Sequence, residues 1–504
     1  MRRWRWCVKA VLALCLIPAV AIAADATTAT AARASLATWL QFLRLPNVAS
    51  RSGVEIARNA QWARDAFAAR GMQARLLATD DDAPMVFAQW SPSASARGTV
   101  LFYAHLDGQA VLAQDWHQPD PFVPVLKRRT ADGGWQQLPL QSLLQADTPD
   151  PQWRVFARSA ADDKAPIVML LAALDALRMQ GRAPAINVKL ILDSREESGS
   201  PTLAGVVERN HDLLHADAVV ILDGPMHRSN RPTLVFGNRG GTRLTLTVYG
   251  ARSELHSGHY GNYAPNPAFA LARLLAGMKD AQGRVLIPGF YDGVTLDRAA
   301  LAAVPDDEAE IRRRIGIAVP EQVGASYQEA MNYPTLNINA LQAGAIDSHR
   351  SIIPERAVAS LDLRSVPGTP PQRQLTLLRS YVQAQGYQLI DHEPSEEERL
   401  RYPQLASIQG GGSSPALHTA LDAPVGRWAQ AALSAEFGQL PIRIPMMGGG
   451  VPSAALAVGL DAPVLLVPLV NADNNQHAAD ENMRIGNYFD GVRSLYALIT
   501  RPLL

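Results

Sequence analysis

The sequence predicts an α/β protein in which a main domain, built on a mostly parallel sheet with helices on both faces, is interrupted by a smaller inserted αβ sandwich. Three observations predict it. Val100–Ala104 (VLFYA), Val188–Leu192 (VKLIL) and Ala218–Leu222 (AVVIL) are near-continuous apolar runs of strand length, the pattern of strands buried on both faces of a parallel sheet. From about Phe236 the pattern changes to alternation in Arg243–Gly250, Pro334–Leu341 and Ala359–Val366, as half-exposed antiparallel strands show. From about residue 420 the first pattern returns, with Val464–Val470 (VLLVPLV) as another buried strand.

The elements follow in order. Pro166–Gln180 lies between the first two apolar runs with helical period, Pro166 in its first turn and Gly181 just past its end, so the segment reads strand, helix, strand. Helical stretches at Pro267–Met278 and Gln372–Gln385 accompany the alternating strands. The expected divisions are a leader at 1–23, a main domain at 24–236 and 393–504, and an inserted domain at 237–392.

The chain has 504 residues, with 47 Lys and Arg against 47 Asp and Glu, 47% hydrophobic and 19% charged. That balance has no basic excess of the kind a nucleic-acid binder shows. The leader reads as a secretory signal: Arg2, Arg3, Arg5 and Lys9, an apolar run from Val11, then Ala21-Ile22-Ala23. Its apolar run of about thirteen residues is shorter than the roughly twenty a membrane span needs. Cleavage after Ala23 removes both cysteines, Cys7 and Cys15, and leaves a mildly acidic, cysteine-free body, periplasmic or secreted, without a stable membrane span. Any metal in that body is held by histidine and carboxylate.

The strands end in such groups. VLFYA runs into His105 and Asp107, VKLIL into Asp193 with Glu196 and Glu197 beyond it, and AVVIL into Asp223. Asp162 and Asp163 precede the Pro166 helix, and His477 follows VLLVPLV. In open α/β sheets ligands sit beyond the carboxyl ends of the strands, so five segments converge on one edge. Two histidines among several carboxylates suit divalent metal ions, zinc by default, with manganese and cobalt as alternatives. His211, His215, His392 and His418 lack this context and read as surface residues.

The ordered series His105-Leu-Asp107, Ser159-Ala-Ala-Asp162-Asp163-Lys164, Glu196-Glu197-Ser198-Gly199-Ser200, Asp223-Gly224, His256-Ser257-Gly258 and His477 resembles the two-zinc metallopeptidase family of carnosine dipeptidases, glutamate carboxypeptidases and aminoacylases. Trp116–Phe122 (WHQPDPF) is similar to the family segment after its first histidine motif. The resemblance implies that Asp162 bridges two metals, that His105 and Asp223 complete one, and that Glu197 and His477 complete the other. It makes Asp107 the partner of the His105 ring and Glu196 the general base, which requires a turn that gives adjacent glutamates different jobs. It implies that His256 helps bind the oxyanion, usually in a partner subunit's active site, and that Arg364 holds the substrate carboxylate. It also makes the inserted domain a lid and dimerisation domain of a homodimer. The run Gly448-Gly449-Gly450 suits a loop whose backbone approaches a ligand, with Gly449 and Gly450 as substrate-binding positions.

Departures from the family pattern are Gly108-Gln109-Ala110 without the usual proline, Ala165 for a glycine, Ala157-Arg158-Ser159 for a glycine-flanked arginine, and Gly450 for a serine. None removes a metal ligand. The expected function is an exported dipeptidase or carboxypeptidase that cleaves a peptide bond next to a free carboxylate. An N-acyl-amino-acid deacylase needs the same metals and stays open at this point, and a non-catalytic exported peptide-binding protein is the remote alternative.

Overall fold

A computed structural model describes residues 17–90, 95–345 and 349–503, with side chains from residue 26 onward. Residues 1–16 of the expected leader, Cys7 and Cys15 among them, lie outside the described residues. Among the described residues no helix is long and apolar enough to cross a membrane.

The chain divides into two compact units. The first comprises Met1–Leu234, Leu421–Ile442 and Ala455–Leu504, and the second comprises Val235–Ala420 and Arg443–Ala454. The sequence placed the return to the main domain at 393, whereas the structure places it after Ala420. The physical reason is the strand Leu405–Ser414, whose three consecutive glycines erase the alternating pattern although it pairs with Gly240–Tyr249 along most of its length.

In the first unit, six strands run in the order Gln73–Leu77, Met85–Gln89, Asn187–Asp193, Thr99–His105, Ala218–Ile221 and Val464–Leu466. The last four are mutually parallel, and the first two join them through antiparallel pairings. The register sets His105 beside Asp193 and Tyr103 beside Ile221, so the chain leaves three neighbouring strands at one edge. The helix Lys164–Met179 is buried at nearly every position, which suits its all-round apolar sequence, and it packs against the helices Ile17–Leu43 and Ile485–Ile499. Its first residue, Lys164, is fully buried and donates from Nζ to the carbonyls of Phe42 (2.9 Å) and Leu45 (2.6 Å). The Leu45 carbonyl lies just past the first helix, and the Phe42 carbonyl, which also accepts the Leu45 amide at 3.2 Å, lies in its last turn, so Lys164 ties down the C-terminal end of that helix.

A second, smaller sheet in this unit has the order Asn482–Arg484, Arg154–Phe156, Val125–Arg129 and Trp135–Leu138, and all its pairs are antiparallel. Its pairing of Asn482 with Phe156 draws the loop after His477 against the loop that leads to Asp162.

The second unit has a five-stranded sheet in the order Thr335–Gln342, Arg356–Ser365, Gly240–Tyr249, Leu405–Ser414 and Gln388–Ile390, antiparallel except for the last pair. Alternate residues of Arg356–Ser365 are buried, as a strand with one covered face requires. Ala359, Leu361 and Leu363 join Leu244, Leu246 and Val248 in a core with Leu271 and Leu274 of the helix Pro267–Ala276 and Leu378 and Val382 of the helix Pro371–Ala384.

Candidate metal centre

The first unit brings seven sequence-predicted residues together: His105, Asp107, Asp162, Glu196, Glu197, Asp223 and His477. His105 and Asp107 are fully buried, and Asp162 and Asp223 nearly so. His477 is 54% exposed, so its end of the cluster opens to solvent.

Asp162 sits at the middle. Its Oδ1 lies 2.8 Å from His105 Nε2, and its Oδ2 lies 3.2 Å from His477 Nε2. His477 Nε2 is also 3.3 Å from Glu197 Oε2, and His105 Nε2 is 4.0 Å from Asp223 Oδ2. Two sets have one ligand atom from each residue within 4.8 Å of the others: His105, Glu196 and Asp223, and Asp162, Glu197 and His477.

Asp107 has a larger part than partner to one ring. His105 Nδ1 is 3.1 Å from the Asp107 backbone carbonyl and 3.4 Å from its Oδ1. The Asp107 carboxylate accepts the amide N–H groups of Glu196 and Glu197, both at 3.0 Å. One buried carboxylate thus fixes the 3-10 turn Glu196–Ser198, which closes at Gly199 with φ 84°. Asp193 supports the same turn, accepting from the Arg195 amide at 3.0 Å, Tyr103 at 3.0 Å and Ser200 at 2.6 Å.

The charges fit divalent cations. Burial pushes the Glu196 carboxyl well above the ordinary range, with Asp223, Glu197 and Asp162 adding to the shift. Burial and the Asp162 charge raise Glu197 to about 7 and Asp223 to about 6. Burial would raise Asp162 too, but the hydrogen bond with His105 and the His477 ring beside it hold it below its ordinary value, and the closeness of Asp162 lifts His477 to about 9. Four acids crowded around two imidazoles are what a pair of dications would neutralise. Asp162 Oδ2 is buried with no aligned hydrogen-bond donor, and a carboxylate oxygen so placed fits metal coordination. With imidazole and carboxylate donors only, the residues suit zinc-type ions.

The geometry gives parts to residues to which the sequence assigned no role. Gln109 Nε2 donates to Glu197 Oε2 at 2.7 Å, and Asp163 Oδ2 accepts the His105 amide at 3.1 Å. Glu481, fully buried, binds the loop that carries Asp162 and pairs with Arg158 at 2.8 Å. Gln109 adjoins a recognised motif and Asp163 lies within one, which is a usable signal. Glu481 carries none beyond standing four residues after His477.

His256, Arg364, Gly449 and Gly450 belong to the second unit. His256 is exposed, accepts the Gly258 amide at Nδ1 (3.0 Å) and has its ring 4.6 Å from that of His259. Arg364 Nε donates to Asp362 at 2.9 Å. A Cβ at Gly450 would meet nothing within 4 Å, and one at Gly449 only the Met447 methyl at 3.9 Å, so packing within this unit does not demand glycine at either position.

Fold and site together define a metal-dependent α/β hydrolase. The chain belongs to peptidase family M20/M25/M40, whose profile matches residues 101–501. It is 24% identical over 420 residues to the Cys-Gly metallodipeptidase dug1 of Schizosaccharomyces pombe, covering 81% of each chain. It is 26% identical over 431 residues to human Beta-Ala-His dipeptidase, covering 81% of this chain and 76% of the relative. The structure matches the M20 family metallo-carboxypeptidase Sso-CP2 of Sulfolobus solfataricus with a TM-score of 0.74 at 25% identity, covering 92% of this chain and 98% of that one. The protein is a metal-dependent peptidase with the catalytic and lid domain architecture of its neighbours.

Proposed function

We propose that this peptidase is an exported dipeptidase that works with two divalent metals, zinc by the chemistry of its ligands, on a peptide bond next to a free carboxylate. One observation carries the two-metal reading: the two oxygens of Asp162 face two different histidines, at 2.8 and 3.2 Å. Asp162 is then the shared ligand, with His105 and Asp223 on one side and Glu197 and His477 on the other. When bound, such a pair lowers the pKa of a water from about 15.7 toward neutrality and polarises the scissile carbonyl.

Glu196 takes a proton from the attacking water and returns it to the leaving amine. Its half-buried setting raises the basicity of the carboxyl, the direction a general base needs. Asp107 holds Glu196 and Glu197 to their separate tasks through their amides. Arg364 supplies a planar guanidinium for the substrate carboxylate, Gly449 and Gly450 give backbone access to the ligand, and His256 donates to the carbonyl oxygen as it gains charge.

Two relatives are named for Cys-Gly and Beta-Ala-His dipeptides, which favours dipeptides over N-acyl amino acids. A panel of dipeptides, including Cys-Gly and β-Ala-His, set against N-acetyl amino acids tests the substrate class. Dipeptide hydrolysis is expected, and cleavage confined to the N-acetyl compounds would sink it in favour of a deacylase. The basic, apolar and small-residue order of residues 1–23 supports export, and an N-terminus at Ala24 in secreted material checks it.

Dimerisation through the inserted domain goes with His256 acting in the partner's site. Mixing His256→Ala and Glu196→Gln chains is expected to restore partial activity; no recovery despite subunit exchange would count against it.

A further inference from the structure

Glu481 stands four residues beyond His477, with 0% of its surface exposed. Its Oε1 accepts the amide N–H groups of Ala161 and Asp162, both at 2.9 Å. Its Oε2 accepts the Ser159 amide at 2.8 Å and Arg158 Nη1 at 2.8 Å. Ser159 has φ 59°, so the loop it begins takes a left-handed turn whose amides converge on this one carboxylate. The backbone closes the connection, because the Ala157 amide donates to the Glu481 carbonyl at 3.1 Å. Arg158 grips the same pair of loops, donating to the Ala478 carbonyl at 3.1 Å with its guanidinium 5.2 Å from the centre of the Trp116 ring.

We propose that Glu481 is a positioning residue for the metal pair: it sets the backbone of Asp162, hence the aim of both its oxygens, from the loop that also carries His477. The inference rests on the reading of Asp162 as the shared ligand. A carboxylate that accepts four donors in a dry site is a strong, directional clamp. A buried ion pair kept only for stability has no need of the Asp162 amide, since an apolar pair of similar volume often serves as well. The carboxylate that grips Asp162 shares its loop with the histidine on Asp162 Oδ2, so its loss disturbs both metal positions. Loss of His477 itself removes a ligand of one.

The experiment titrates the full-length chain with zinc against a chromophoric chelator, in the wild type and in Glu481→Gln, Glu481→Asp and Asp162→Asn. Glu481→Gln turns one acceptor oxygen into a donor facing other donors. Glu481→Asp keeps the charge but falls short of spanning both loops. Both zinc dissociation constants are expected to rise by about 10–100-fold in the Glu481 variants, the usual effect of losing an outer partner of a metal site. A folded Glu481 variant that binds two zinc ions with wild-type affinity overturns the proposal, even if the melting temperature of the chelator-treated protein has dropped. If Glu481→Gln does not fold, Glu481→Asp decides by the same readout. Asp162→Asn separates the two readings: wild-type zinc binding there defeats the shared ligand, whereas its loss there beside wild-type binding in the Glu481 variants defeats the positioning role alone.

Discussion

Replacing Glu196 with Gln is expected to lower kcat by about 10²–10⁴-fold, the range general acid–base catalysis supplies, with two metals still bound and KM little changed. The structure gives this experiment its force, because the Glu196 carboxylate has two jobs open to it. It lies within ligand distance of His105 and Asp223, so coordination in the set with those residues is sterically open. It also projects from a turn held by Asp107 through the amides of both glutamates, which separates it from Glu197, the one that faces His477. Gln keeps the shape and one carbonyl oxygen and loses the basicity. A base that is lost costs turnover and spares the metals; a ligand that is lost takes metal with it. Two bound metals with collapsed kcat fit the base, and a fall to one metal would make Glu196 a ligand.

Asp162→Asn is expected to remove metal from both positions and to lower kcat/KM by about 10³-fold or more, the rate equivalent of roughly 4 kcal/mol of lost transition-state stabilisation. The size follows from the geometry. Asn offers one oxygen where Asp offers two, and its NH₂ group must point at either His105 Nε2 or His477 Nε2, which stand 2.8 and 3.2 Å from the present oxygens. It also leaves Glu196, Glu197 and Asp223 crowded together without the cations that offset them. Loss of a single metal, with the other retained at full affinity, would assign Asp162 to one position only.

Most residues of the candidate metal centre were legible in the sequence because the strands that lead into them are buried on both faces. Apolar runs such as Val100–Ala104 and Ala218–Leu222 stand out, and an ionisable residue at the end of such a run is conspicuous. Their roles were not legible in that way; the division of labour between Glu196 and Glu197 came from family resemblance, and the turn that makes it workable depends on Asp107, a residue distant in sequence. The small sheet that joins Arg154–Phe156 to Asn482–Arg484 escaped altogether, since three-residue strands carry no readable period and their pairing spans most of the chain. Glu481 escaped with it, because three of its four donors are backbone amides, which leave no mark on composition. The second unit runs on past 392 to Ala420, and takes in Arg443–Ala454 as well; the first extension was hidden because Gly410, Gly411 and Gly412 interrupt a strand that only its pairing with Gly240–Tyr249 reveals.

The most direct measurement of the central claim is the metal content per chain of the wild type and of Asp162→Asn, purified side by side and saturated with zinc. Two ions per wild-type chain and none in Asp162→Asn is the result the shared carboxylate predicts. One ion or fewer in the wild type, or two retained in Asp162→Asn, would contradict it.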